Sequence, residues 1–176
     1  PNLYFLFMAM GVQKLKQDGQ LVYIIPRSWT SGAYFEKFRK WLFARTVIEH
    51  IHLFGSRDKV FNGESVLQET MIIKIRKTNK KPSSIKMTFS ETSDFTKVTS
   101  INVDYNTIVA KNSYVYLVTN ENEIECLDSL NTLDNTLVSD GLRMKTGLIV
   151  DFRARDVLRN DGEEPNTYPL LYSQHI

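Results

Sequence analysis

The chain has 176 residues, 42% of them apolar and 24% charged, which bounds it to about one or one and a half soluble globular domains. No apolar run approaches the roughly 20 residues a membrane helix needs, and the single cysteine, Cys126, excludes an internal disulfide or a multi-cysteine zinc site and suits the cytoplasm. Net charge is only +2 but uneven: residues 1–81 hold 14 Lys/Arg against 6 Asp/Glu, and residues 82–176 hold 8 against 14, which reads either as ordinary solvated charge or as a basic half that faces phosphate.

Pro1 leads straight into the apolar stretch PNLYFLFMAMGV, which has neither a basic leader nor a small-residue cleavage site and is read as a helix, not a signal peptide. Little precedes that helix to cover it, so the chain is expected to be an internal piece of a larger protein. Over residues 2–16, Leu3, Leu6, Phe7 and Met10 recur at helical spacing while Phe5 and Met8 widen the apolar face, which predicts a helix buried on several sides. Lys14 and Lys16 suit its carboxyl end, and Gly19 is a stop signal. LVYII at 21–25 is short and apolar on both faces, as a central parallel strand is, and Pro26 ends it. Ser31 is placed to cap a helix over 33–44, where Tyr34, Phe35, Phe38, Trp41 and Leu42 line one face and Glu36 pairs with Lys40 on the other.

TVIEHIHLF at 46–54 alternates as a strand with Val47, Glu49, Ile51 and Leu53 on one side and Ile48, His50, His52 and Phe54 on the other. ETMIIKIRK at 69–77 is a further strand. The stretch 55–68 between them is far longer than the roughly 2–5 residues of an ordinary hairpin loop, which suggests a task for it. The strand–helix–strand unit predicts a parallel pair, and the last two strands an antiparallel one, so the sheet is doubly wound with an antiparallel strand added near one edge. KTNKKPSS, 77–84, reads as a linker; 85–90 and 100–110 are candidate strands, 114–118 a strand, 123–134 a short helix and LIVDF, 148–152, a strand.

The ordered series NLYFLF (2–7), GQLVYIIPRSW (19–29), FEKFRKWLF (35–43), KVFNGESV (59–66) and ETMIIKIRK (69–77) resembles the later half of the catalytic domain in gamma-class (Taq-type) adenine-specific DNA methyltransferases of restriction–modification systems. TGLIVDFRARDVL and YPLLYSQHI resemble, more loosely, the junction to the recognition domain in that family. The resemblance implies an α/β fold: the C-terminal half of a doubly wound, Rossmann-like methyltransferase sheet with an antiparallel strand over residues 1–80, then a β-rich α+β linker and the start of the DNA-recognition region over 81–176. It further implies S-adenosylmethionine as cofactor, double-stranded DNA as partner together with the remainder of the parent chain, and methylation of the exocyclic amine of a flipped-out adenine. The family's glycine-rich cofactor loop and its Asn/Asp-Pro-Pro-Tyr/Phe motif are absent from this sequence. That amine is a poor nucleophile, and the missing motif supplies the acceptors that position it, so this chain alone is expected to be inactive.

The resemblance assigns Phe61 to stacking on the extruded base, which has lost its neighbours in the duplex; the competing reading is a ring that tucks its loop onto the sheet. It assigns Phe7 to contact with the cofactor's adenine, against a plain core role. Arg27, just past a strand's carboxyl end, and Arg57 and Lys59, in the long loop, are candidate contacts to DNA phosphate, as Arg153 and Arg155 are beside the junction strand; solvated cations are the alternative. His50 and His52 share a strand face, but no third ligand accompanies them, so packing is expected and no metal. Beside the methyltransferase stand two other functions: a DNA-binding or specificity module without its own catalysis, and a methyltransferase for RNA or protein on the same sheet.

Overall fold

Five strands form: β1 (Gln20–Pro26), β2 (Val47–Phe54), β3 (Thr70–Arg76), β4 (Ser84–Ser90) and β5 (Val98–Asp104). The computed structural model describes residues 3–55, 69–143, 153–159, 162 and 165–171. The strands form one sheet in the order β1-β3-β2-β4-β5. β3 is antiparallel to both β1 and β2, β4 is parallel to β2, and β5 is antiparallel to β4. β1 and β2 therefore run the same way, as the strand–helix–strand reading requires, but they are not partners. β3 lies between them, inside the sheet. Its Met71, Ile73 and Ile75 are fully buried, and a strand paired on both edges satisfies its backbone groups on both sides.

The register makes the two faces distinct. Tyr23, Ile73, Ile51, Met87 and Ile101 form one row across the sheet, and Val22, Lys74, His50, Lys86 and Asn102 form the row on the opposite face. The first face carries the core, into which α1 (Leu3–Lys14) sends Met8 and Val12, and α2 (Glu36–Phe43) sends Leu42. Past β5, α3 (Tyr105–Ile108) adds Tyr105 and Ile108, followed by Val115 and Val118.

Several local expectations are corrected. The strict alternation read for residues 46–54 breaks at a bulge between Ile48 and His50, which returns Ile48 to the same buried face as Ile51 and Leu53. The extra residue, Glu49, faces Lys74, Arg76 and Gln20. The first helix is covered on one side only: Leu3, Leu6, Phe7 and Met10 are exposed. β1 is an edge strand among the described residues, with Val22 and Ile24 more than half exposed, whereas its sequence reads as central. Asp18, at φ 60, makes the left-handed step after α1, and Gly19 follows where a Cβ would meet the Lys16 carbonyl oxygen at 2.9 Å. Ser31 does not N-cap α2: it ends the first of two 3-10 turns, Arg27–Thr30 and Ala33–Phe35, that precede α2, whose N-cap is Phe35 without a side-chain cap.

β4 and β5 continue the same sheet beyond residue 80, and the chain divides into Pro1–Leu133 and Asp134–Ile176. The stretch read as one strand over 100–110 ends at Asp104, whose carboxylate accepts from the Asn106 amide and starts α3. The strand expected over 114–118 is only a single bridge between Val109 and Val115. The expected helix over 123–134 is α4 (Glu121–Asn131); Asn120 accepts from the Glu123 amide while the Glu123 carboxylate accepts from the Thr119 amide. The second unit is made of turns in its described parts, such as the one where Thr136 and Ser139 bond each other's backbone amides. LIVDF lies outside the described residues.

Candidate functional site

β1, β2 and β4 all end at one edge of the sheet, where β3 and β5 begin. Clefts in open α/β sheets lie at the carboxyl ends of parallel strands. At that edge Pro26 stops β1 and the turn Arg27–Thr30 follows. The Arg27 amide donates to the Glu69 carbonyl at 2.9 Å and its guanidinium is ion-paired with the Glu69 carboxylate, directly before β3. Tyr4 and Ser28 are hydrogen-bonded through their hydroxyls at 3.2 Å, which fastens the start of α1 to the same turn. Gly55, directly after β2, donates to the Ser90 carbonyl at the end of β4.

The fold thus brings the start of α1 and Arg27 to one region. Phe7 lies one helical turn beyond Tyr4 and is 55% exposed. Phe61, Arg57 and Lys59 lie outside the described residues, although both anchors of their connection, Gly55 and Glu69, stand at this edge. Arg153 and Arg155 are exposed in the second unit.

Sequence reasoning gave Arg39 no role. Its side chain is fully buried, and its Nη1 donates to three carbonyls of the turn: Trp29 at 3.0 Å, Ser31 at 2.8 Å and Gly32 at 3.0 Å. The guanidinium lies 4.7 Å from the Tyr114 ring centroid. Burial pulls its pKa down, against the opposing influence of Tyr114 and Glu36. Among the described residues its Nε and Nη2, like the indole nitrogen of Trp29, have no hydrogen-bond partner. The sequence did hold a signal, since position 39 follows Phe35 by four residues and precedes Leu42 by three, on the apolar side of the helix.

His50 and His52 point to one face as expected, and their nitrogens engage hydroxyls. His50 Nε2 and His52 Nδ1 each lie 2.8 Å from Thr88 Oγ1, and His52 Nε2 lies 3.0 Å from Ser90 Oγ. Burial, then Lys86 and Lys74, lowers the His50 pKa; burial, then His50, lowers that of His52. Phe54 and Phe95 pack their rings against His52 at 4.6 and 5.0 Å between centroids. Elsewhere, a cleft of about 880 Å³ opens beside the amino end of β4 and is lined by Lys81, Tyr105, Lys111, Asn112 and Tyr116.

Residues 1–61 match the Eco57I restriction-modification methylase family. Over 178 aligned residues the chain is 34% identical to the Type II methyltransferase M.PstI of Providencia stuartii and 35% identical to the Type II methyltransferase M.BsuBI of Bacillus subtilis. Each alignment takes in 99% of this chain, which spans 35% of the length of either relative. A solved structure, the type IIG restriction endonuclease BpuSI, is similar over 64% of this chain and 15% of its own, with a TM-score of 0.49 and 14% identity. No helix among the described residues is long and apolar enough to cross a membrane.

Proposed function

We propose that this chain is the later part of the catalytic domain of an S-adenosylmethionine-dependent DNA methyltransferase that modifies the exocyclic amine of adenine after flipping the base out of the duplex. Residues 81–104 complete the sheet with β4 and β5, and the chain after them leads, on this reading, into the DNA-recognition region. The observation that carries it is the convergence of the start of α1, Arg27 and both anchors of the 56–68 connection at the carboxyl ends of β1 and β2. Similarity to two Type II methyltransferases over 99% of the chain supports the reaction class.

The exposed ring of Phe7 fits an apolar contact with the cofactor's adenine, and the cofactor supplies an electrophilic methyl group when bound. Phe61 stacks on the extruded base and replaces part of the stacking lost in the duplex. Arg27, Arg57 and Lys59 meet phosphates and hold the strand in register, without reading sequence. The groups that accept hydrogen bonds from the target amine lie outside these 176 residues, so this chain by itself transfers no methyl group.

The test is methyl transfer from labelled S-adenosylmethionine to duplex DNA by the full-length protein, with the product nucleoside identified. N6-methyladenine is expected. Phe61→Ala is expected to slow transfer about 5- to 150-fold, from roughly 1–3 kcal/mol of lost stacking. Methylcytosine, or methyl transfer only to RNA or protein, refutes the proposal. Duplex binding with no transfer refutes it in favour of a recognition module.

A further inference from the structure

We propose that Arg39 is a positioning residue: it sets the shape of the turn from Arg27 to Gly32 and thereby holds Arg27 and Ser28 at the edge where DNA is engaged. The inference rests on the function proposed above for its kinetic consequence, but not for its structural one.

The turn has an unusual hydrogen-bond economy. Its carbonyls at Trp29, Ser31 and Gly32 all converge on Arg39 Nη1. The Arg27 carbonyl accepts from the Thr30 hydroxyl, and the Thr30 carbonyl from the Val115 amide. The backbone acceptors are thus turned inward, and three of them meet at one nitrogen from α2. A regular helix or strand satisfies such groups through its own backbone; here the Trp29, Ser31 and Gly32 carbonyls all accept from one side chain on α2.

A buried guanidinium is costly to desolvate, and no carboxylate among the described residues forms an ion pair with Arg39. A core-filling role calls for an apolar residue of similar volume, as at its neighbours Phe35 and Leu42. What an apolar residue cannot supply is a donor for three carbonyls. The Tyr114 ring covers the guanidinium, and Tyr114 adjoins Val115, whose amide bonds the turn, so Arg39 also fastens the segment after α3 to the end of β1. Displacing such a turn by about an ångström misplaces the groups it carries, an error worth on the order of a hundredfold when those groups orient a substrate.

The experiment compares Arg39→Met, which removes the donor, and Arg39→Lys, which keeps a charged donor but reaches less far, with Val103→Ala, a core deletion in β5. All are made in the full-length protein. Hydrogen exchange is read over residues 27–33 and over β4–β5, and methyl-transfer kinetics are measured against DNA concentration. Residues 27–33 are expected to exchange at least about tenfold faster in Arg39→Met than in wild type, and less fast in Arg39→Lys, while β4–β5 changes little. Val103→Ala is expected to give the reverse pattern. The KM for DNA rises about tenfold or more in Arg39→Met, is partly restored in Arg39→Lys and stays at the wild-type value in Val103→Ala. Uniform exchange across both regions in the Arg39 variants, or a KM that follows thermal midpoint alone in all three, overturns the proposal. If the wild type transfers no methyl group, the function above fails, and the exchange pattern still decides whether Arg39 shapes the turn.

Discussion

Gly55→Ala adds a single methyl group at the root of the connection that carries Phe61, and its cost can be worked from the packing there. A Cβ on Gly55 would stand 2.7 Å from Glu91 Oε2 and 2.9 Å from Phe89 Cζ. Ordinary carbon contacts begin near 3.5 Å, so each neighbour must retreat by about half an ångström or more. Glu91 is exposed and its carboxylate can swing away at small cost. The Phe89 ring is half-buried and packs against the core, while the Gly55 amide is tied to the Ser90 carbonyl, so neither side yields freely. Overpacking of this kind costs roughly 1–3 kcal/mol, and the yielding Glu91 places the expectation near the lower end, at about 1–2 kcal/mol. In the full-length protein this appears as a thermal midpoint lowered by a few degrees. Adding Phe89→Leu to Gly55→Ala is expected to recover part of the loss, and the coupling is measured as a double-mutant cycle. Gly55→Ala with an unchanged midpoint, or a cycle with no coupling to position 89, would refute the idea that the root of the connection is held by close packing.

The histidine pair makes stability depend on pH. Burial holds both rings below the ordinary value of 6.5, so the unfolded chain binds more protons than the folded one as pH falls past that value. The contribution is therefore complete above pH 6.5 and is lost as pH falls from there through the folded-state pKa values; a thermal-midpoint profile from pH 8 to 5 is expected to be flatter in a His50→Gln/His52→Gln variant. At Glu49 burial pushes the carboxyl up, but hydrogen bonds from Arg76 and Lys74 outweigh it and hold the pKa below 4.5. Its contribution is present above the unfolded value and is lost as pH falls through the folded one. Glu49→Gln is expected to cost about 1 kcal/mol at pH 7 and progressively less under acid, measured by denaturant unfolding at both pH values.

Part of the site was legible in the residues. The excess length of the 55–68 connection suggested a task for it, and Pro26 followed by Arg27 marked a strand end bearing a cation. Both turn out to meet at one edge, through the hydrogen bond and ion pair between Arg27 and Glu69. Arg39 was missed because its importance lies in three carbonyls that no sequence pattern announces: they belong to a turn, and a turn's carbonyl directions are set only when it is packed.

The amino-acid sequence by itself determined where most elements form. Short β-rich runs marked β1, β2 and β3, and the spacing of Phe38 and Leu42 marked α2, because a helix that buries one face carries a helical period whatever its neighbour is. Tertiary structure alone decided that β3 enters between β1 and β2, that β1 keeps Val22 and Ile24 exposed, and that a bulge at Glu49 resets the phase of β2. Side-chain pattern records which face of a strand is apolar. The edges of a strand carry the same backbone donors and acceptors in every sequence, so which strand lies beside which is settled by the packing of the whole sheet.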